Sequence, residues 1–514
     1  MQRAEGEAEK DQEAMVRFLS DPATYGVKKV DYIKTHAAHV FLAGDRVWKL
    51  KRAVTYGFLD FSTLDERRKA ITQELELNRR TAPGLYLEVI AVTKSDGKLT
   101  LGGKGLVQDW LLVMQRFEQA SLFDHMARGG LLTPALITGL GDDIAAFHQR
   151  LEPLYNKGGA ARMGKSVADV LAALQPCIGP VFEPAAVAGA RDLLMAKLDR
   201  IGPLLDKRRD RGLVRFCHGD MHLANICLWQ GRATPFDCIE FNDDIASADL
   251  LHDLAFPVMD LVFFKQSRFA NLLLNRYLEA MQDYNDLAVL PFFLAARAII
   301  RAMASGLVAT EKNAETPRRY LGLVKTFLAP PKPCLIAVGG LSGSGKSSLG
   351  RELAIETAAG AGAITLRSDG IRKRLLGRLP EEKLPPSGYR PEMNVRVYEI
   401  LCENARNALK AGFCVIADAA HLRQPEREKI AEIAKTAGVP FHGLWLDLPP
   451  DVARARLRAR SGDASDAGIA VYERQLGYDT GDITWHRLDA AKPLPDLCRL
   501  ALDALRTSIR PAPR

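Results

Sequence analysis

The chain has no two cysteines in a CxxC spacing; its eight cysteines are scattered. That argues against a zinc knuckle and against the disulfide framework on which small secreted domains depend. Its first residues are polar and acidic (Glu5, Glu7, Glu9, Asp11, Glu13), with no apolar stretch among them of the kind a signal peptide needs, so none is expected. No clean membrane span is present: the longest apolar stretch, Leu287 to Thr310, is interrupted by Arg297 and Arg301 and reads as a core helix. No basic stretch is interleaved with aromatics as in a single-strand nucleic-acid binder, and there is no internal repeat or low-complexity tract. These absences lead to the expectation of a cytoplasmic protein in a reducing compartment, with no membrane partner.

What is present is a chain of 514 residues, too long for one hydrophobic core, with the 47% hydrophobic and 26% charged content of a globular protein. The net charge of +8 is spread over short clusters such as Lys207-Arg208-Arg209 with Arg211, and Arg372-Lys373-Arg374. Such clusters suit phosphorylated substrates, nucleic acid or plain solubility. Ala329-Pro330-Pro331-Lys332-Pro333 cannot continue a helix and marks a linker. The expected domains are a polar segment over 1–27, a first module over 28–328, the linker over 329–333 and a second module over 334–514.

The second module opens on CLIAVGGLSGSGKSS, residues 334–348. An apolar run that reads as a buried strand meets Gly340-x-x-x-x-Gly345-Lys346-Ser347, and a helical pattern follows, which is the context a phosphate-binding P-loop requires. Its glycines let backbone N–H groups of Ser342, Gly343, Ser344, Gly345 and Ser348 turn toward a triphosphate, backed by the positive end of the helix. Lys346 is placed to reach the β- and γ-phosphates and the Ser347 hydroxyl to ligate Mg²⁺. Beyond it strands and helices alternate, so an α/β domain with a parallel sheet is expected. Strand candidates are 363–366, 413–417, 441–446 and 484–488, with helices over 392–411 and 425–435.

The strand before Arg367-Ser368-Asp369-Gly370-Ile371-Arg372 ends beside the P-loop mouth if ligands bind beyond the carboxyl ends of parallel strands. Asp369 there can take a proton from an attacking hydroxyl and Arg372 can bind an acidic group of the acceptor; Asp369 also suits an N-cap for a helix starting at Gly370. Val415-Ile416-Ala417-Asp418 has the apolar-run-then-Asp form that holds Mg²⁺ through water. Arg454, Arg456, Arg458 and Arg460 precede a Ser/Gly loop; Arg456 and Arg460, four apart, share a helix face and read either as lid arginines closing on the transferring phosphate or as part of a salt-laced surface helix.

In the first module two alternating apolar runs flank Ala43-Gly44-Asp45, a predicted hairpin whose second strand points Val47, Lys49 and Lys51 one way. A helix is predicted over 62–80, a strand-like stretch over 100–117 and mainly helix from there to about residue 210. Then Asp220, Asn225 five residues on and Asp237 twelve beyond lie on loops between short apolar strands. That is the spacing of phosphoryl transfer in kinase folds, where the first Asp accepts the hydroxyl proton and the Asn and second Asp hold Mg²⁺. Singly, each residue also suits an Asx-turn, and His218 a core hydrogen bond.

HGDMHLANI with the downstream FDCIEF and SADLLHDLAF resembles the aminoglycoside phosphotransferase family over about residues 30–310. The resemblance implies an α+β bilobal protein-kinase-like domain that phosphorylates small-molecule hydroxyls or amines with ATP. On it Asp220 is the catalytic base and Asn225 and Asp237 are metal ligands. It makes Lys49, or its competitor Lys51, the lysine on the α/β-phosphates, held by Glu74 or Glu76, with Met114 to Phe117 as the adenine hinge. Where a protein kinase carries GxGxxG this chain has only the turn Ala43-Gly44-Asp45. The P-loop, SDxxR and arginine lid resemble the small P-loop kinases that include polynucleotide kinase, gluconate kinase and the zeta-toxin group, over about 334–490. The whole resembles a bacterial two-module family that fuses the two. The expected function is a Mg²⁺- and ATP-dependent phosphotransferase, with GTP as the alternative donor, two nucleotide sites and a small-molecule or nucleic-acid hydroxyl as acceptor. The competing readings are a regulatory nucleotide-binding protein with one inactive module, the N-terminal one favoured, and a nucleic-acid end kinase.

Overall fold

A computed structural model describes residues 12–56, 59–330, 332–378, 382, 384–459 and 468–507. Arg460, the Ser/Gly loop after it, the first eleven residues and Pro331 lie outside the described residues. Two compact units are formed, one from Met1–Met163 with Leu205–Asp260, the other from Gly164–Leu204 with Leu261–Arg514.

The first unit is built on a six-stranded antiparallel sheet. Its strands are β1 (Val30–Lys34), β2 (Ala38–Ala43), β3 (Arg46–Lys51), β4 (Tyr86–Ser95), β5 (Lys98–Leu101) and β6 (Leu106–Gln115), in the order β1-β2-β3-β6-β4-β5. The predicted hairpin is β2–β3, with Ala43 opposite Arg46 and Gly44 at φ +60°, the left-handed value a two-residue turn demands. The stretch 100–117, read as strand-like throughout, is instead the end of β5, a turn and β6. Glycines make that turn: Gly102 has φ +70°, and a Cβ on Gly105 would lie 2.3 Å from the Lys94 carbonyl.

Helix α1 (Leu64–Asn78) starts at Thr63, whose hydroxyl accepts from the Glu66 N–H, and carries Asp65 and Glu66 in its first turn. Ile71 and Leu75 pack with Leu85, Tyr86, Leu112 and Met114 of the sheet. This packing fixes which α1 residues can face β3. After the helical stretch the chain forms a short strand (Val214–Phe216), a loop, and the hairpin Ile226–Trp229 with Arg232–Pro235, which delivers Asp220, Asn225 and Asp237.

In the second unit five parallel strands, β7 (Leu335–Gly339), β8 (Ile364–Arg367), β9 (Val415–Asp418), β10 (Phe441–Asp447) and β11 (His486–Asp489), lie in the order β8-β9-β7-β10-β11. Strand β7 is buried along its whole length, as its unbroken apolar run requires of a central parallel strand. Ile336, Val338, Leu349, Leu353, Ile416 and Leu444 form the core beneath the P-loop. The described elements are of the classes expected: an α+β part on an antiparallel sheet followed by an α/β P-loop domain with a parallel sheet. Leu287–Gly306 is long and apolar enough to cross a membrane, yet 67% of its apolar window is buried within the protein, the environment of a core helix.

Candidate functional site

The P-loop runs from the end of β7 into helix α3 (Lys346–Glu356). Gly340, Gly343 and Gly345 have φ of +134°, +83° and +91°, a backbone that a side chain would strain. A Cβ on Gly340 would stand 2.8 Å from the Leu446 carbonyl. Of the loop's amides, those of Gly340 and Ser344 donate to the carbonyls of Ala420 and Leu341 at 3.0 and 3.3 Å, and the glycines keep side chains off the face of the loop that a phosphate would approach. Lys346 Nζ lies over the loop, donating to the carbonyls of Gly340 and Leu341 at 3.0 and 2.9 Å. The Ser347 hydroxyl donates to Asp418 Oδ2 at 2.6 Å. A hydroxyl and a carboxylate brought together at a phosphate loop are the hard oxygen donors that Mg²⁺ prefers, so these residues fit the ion.

These groups open on a cavity of about 300 Å³. Of the residues proposed from sequence, Ser342, Gly343, Gly345, Lys346, Ser347, Ser348, Asp369, Arg372, Asp418 and Arg456 all line it. Gly340 and Ser344 are not among the lining residues, and Ser344 is buried. Asp369 sits in the first turn of helix α4 (Ser368–Leu375), and its reading as an N-cap is corrected. Strand β8 passes into α4 without a loop, so the cap position falls on Arg367, whose side chain makes no capping bond. Arg372 is buried, donates from Nη1 to the Gly388 carbonyl at 2.8 Å and stacks over Tyr389, its guanidinium carbon 5.0 Å from the ring.

The arginine pattern divides. Arg456, on helix α6 (Pro450–Ala459), lines the cavity, while Arg454 is tied to Glu473 at 2.8 Å and to Asp451 at 3.3 Å. The surface-pair reading thus describes Arg454, and Arg456 faces the cavity. Sequence reasoning missed Arg367, whose Nε lies 3.6 Å from Asp418 Oδ2, together with Arg423, Arg474 and Gln475 in the cavity wall. Gln475, on helix α7 (Ile469–Leu476), accepts from the Ser342 N–H at 2.8 Å, so a side-chain amide occupies one backbone donor of the loop. No motif marks a glutamine for that place. Behind the loop His421 is fully buried against Tyr398 and Trp485, and burial pushes its pKa down to about 3.

In the first unit Lys49 Nζ bridges Glu74 Oε1 at 2.7 Å and Asp237 Oδ1 at 3.0 Å. Lys51 Nζ holds the other Glu74 oxygen at 2.6 Å and pairs with Glu240. Both lysines reach the α1 carboxylate, but of the two only Lys49 is paired with Asp237. Glu74 is fully buried and Glu76 is exposed, because two residues apart on a helix they face away from each other. Burial opposes the charge on Lys49, yet the carboxylates of Asp237 and Glu74 outweigh it and hold its pKa well above the ordinary lysine value. Burial likewise opposes the charge on Glu74, and the two lysines reverse the effect.

Asn225 Nδ2 donates to the carbonyl and carboxylate of Asp220 at 3.0 and 3.1 Å. That leaves its amide oxygen for a cation, and with Asp237 it makes an oxygen set suited to Mg²⁺. Asp237 takes φ +59°, fixed by its N–H donating to the Tyr86 hydroxyl at 3.0 Å and by Cys238 N–H donating to Asn78 Oδ1 at 2.9 Å. The loop before Asp220 is pinned by buried Asp253, which accepts from the N–H groups of His218 and Gly219 at 3.2 and 2.8 Å and pairs with His148 Nε2 at 3.1 Å. Asp253 lies inside SADLLHDLAF, where a carboxylate in an apolar helix was the available signal. Met114 and Gln115 end β6, and Phe117 follows on. The turn at Gly44 is as short as the sequence indicates, with Val27 packed 3.3 Å from a Cβ placed there.

Residues 335–478 match a family model described as an AAA domain. The chain is 28% identical over 482 residues to an uncharacterized protein of Mycobacterium tuberculosis, covering 90% of this chain and 93% of that one. Among solved structures it is similar to a gluconokinase from Sinorhizobium meliloti, with 24% identity and a TM-score of 0.25 over 34% of this chain and 94% of that one. It is also similar to a choline/ethanolamine kinase family protein from Mesorhizobium loti, with 15% identity and a TM-score of 0.35 over 61% of this chain and 99% of that one.

Proposed function

We propose that the chain is a Mg²⁺- and ATP-dependent phosphotransferase whose P-loop site moves the γ-phosphate to an alcohol, with a second nucleotide site in the first unit. The observation that carries this reading is the convergence of Lys346, the Ser347–Asp418 pair, Asp369 and Arg372 on one cavity. Ser347 and Asp418 would hold Mg²⁺, which neutralises phosphate charge when bound. Asp369 accepts the proton of the attacking hydroxyl as its oxygen bonds to the γ-phosphorus and the bond to the β-phosphate oxygen breaks, releasing ADP. Lys346 and Arg456 offset the charge spread over the transferring group, and Arg372 holds the acceptor. In the first unit Asp220 has the corresponding role of base, Asn225 and Asp237 would hold the metal, and Lys49, fixed by Glu74, would meet the phosphates.

Labelled γ-phosphate transfer from ATP to water, to a panel of small alcohols and to oligonucleotide ends, using the full chain and Lys346→Ala, tests this. Transfer that falls in the variant to what the first unit alone supports is expected; equal transfer by both proteins would remove the P-loop from the scheme. The second reading, in which the first unit senses nucleotide without reacting, is favoured by its short turn in place of a glycine-rich phosphate cover. Asp220→Ala decides it, since a purely sensing unit loses no transfer.

A further inference from the structure

Strand β8 is an edge strand, and it leads directly into the α4 turn that carries Asp369 and Arg372. One side of its backbone bonds to β9; the other presents Ala363 C=O and Thr365 N–H, which need partners of their own. Those partners come from helix α2 (Ser267–Met281), which precedes the proline-rich segment. Asn275 donates from Nδ2 to the Ala363 carbonyl at 3.1 Å and accepts at Oδ1 from the Thr365 N–H at 2.7 Å. This is the pair of bonds that one residue of a parallel neighbouring strand would make. Asn271, which is buried, adds bonds to the carbonyls of Ala361 and Ala363 at 2.8 and 2.9 Å.

The contact continues along α4. Gly370 lies so close to α2 that a Cβ there would stand 1.7 Å from Glu279 Oε1. Arg374, in the last turn of α4, donates to the carbonyls of Glu279 and Ala280. Carbonyls in the last turn of a helix lack intrahelical partners and carry its negative end, so a guanidinium suits them. On α3, Glu352 pairs with Arg268 of α2, Oε1 lying 2.7 Å from Nη1. By contrast, the phosphate loop follows β7, two strands in from this edge.

We infer that helix α2 is a working part of the P-loop site, with Asn275 and Asn271 as positioning residues that set where Asp369 and Arg372 stand relative to the bound phosphates. The inference rests on the proposed function of that site. The segment matched as an AAA domain begins at residue 335 and so does not contain the helix that completes its own edge.

Full-length chains carrying Asn275→Leu, and a cycle of Gly370→Ala, Glu279→Ala and both together, test it. The measurements are γ-phosphate release from Mg·ATP, Mg·AMP-PNP affinity by calorimetry, and hydrogen exchange over 361–375. Asn275→Leu is expected to lower release by about 10-fold through misplacement of the base, with Mg·AMP-PNP affinity held within about 2-fold, and to speed exchange at Thr365. Gly370→Ala should lose release, and Glu279→Ala in the same chain should recover it, a recovery that general loss of folding would not give. Wild-type release and exchange in Asn275→Leu, or a Gly370→Ala defect indifferent to Glu279, would overturn the inference. A wild-type chain that releases no phosphate contradicts the proposed function instead, and the exchange comparison with Mg·AMP-PNP bound then decides the role of α2 alone.

Discussion

In the first unit two lysines of β3, Lys51 buried and Lys49 half-buried, are set among three carboxylates, Glu74 of α1 with Asp237 and Glu240 of the segment after the hairpin. In the P-loop site the lysine rests on backbone carbonyls, and Arg367, Arg372, Arg423, Arg456 and Arg474 line one cavity. The first arrangement is held by side-chain charges that satisfy one another, and removing Lys51 takes from buried Glu240 the lysine it pairs with. The second is held by glycine backbone and keeps positive charge available to a ligand. If both sites take the nucleotide proposed for them, the cost of gathering charge falls on folding in the one and on binding in the other.

That contrast is sharpest in turnover. Lys346→Ala is expected to lower P-loop phosphate transfer by about 100- to 1,000-fold while leaving unfolding by urea almost unchanged. A stability loss as large as the activity loss would break the distinction. Asp369→Asn, which keeps the shape and removes the base, should cost transfer about 100-fold with nucleotide affinity retained. An unchanged rate would leave Asp369 without a catalytic part.

The first unit should respond in the opposite sense. Lys51→Met leaves Glu240 buried without its lysine and Glu74 with Lys49 alone, and is expected to destabilise the unit by about 3 kcal/mol. Lys49→Met, at a more exposed lysine whose partner Glu74 keeps Lys51, should destabilise less and weaken nucleotide binding more. Urea unfolding and calorimetry on the two variants check the order; the reverse order would exchange the roles assigned to the two lysines.

The smallest effect concerns pH. Folded His421 has its pKa pushed down to about 3, whereas the unfolded imidazole titrates near 6.5. Below pH 6.5 the unfolded chain takes up a proton that the folded one refuses, so stability falls as pH drops from there toward 3. From this group the slope is about 1.4 kcal/mol per pH unit. Urea midpoints at pH 7, 6 and 5 should fall less steeply in His421→Leu than in the wild type; equal slopes would place the acid sensitivity elsewhere.

Sequence made the P-loop legible because its chemistry is contiguous: strand, glycines, lysine and hydroxyl stand side by side. The set of Asp220, Asn225 and Asp237 was legible through spacing, since one hairpin carries the chain from the second of these to the third. Choosing Glu74 over Glu76, and separating Lys49 from Lys51, needed the packing of α1 on the sheet, which neither residue reports alone. Asp369 was found, but its expected cap was not, because nothing in Arg367-Ser368-Asp369 shows that strand and helix join without a loop. Asn271, Asn275 and Gln475 carried no signal: the backbone each serves lies far away in the chain, and amides are ordinary on helix surfaces. Arg460 lies outside the described residues.

The central claim, two separate nucleotide sites in one chain, is tested most directly by calorimetric titration of the full chain with Mg·AMP-PNP, wild type beside Lys346→Ala. Two binding events in the wild type and loss of one in the variant are expected. No heat in the wild type, or an unaltered titration in Lys346→Ala, would contradict it.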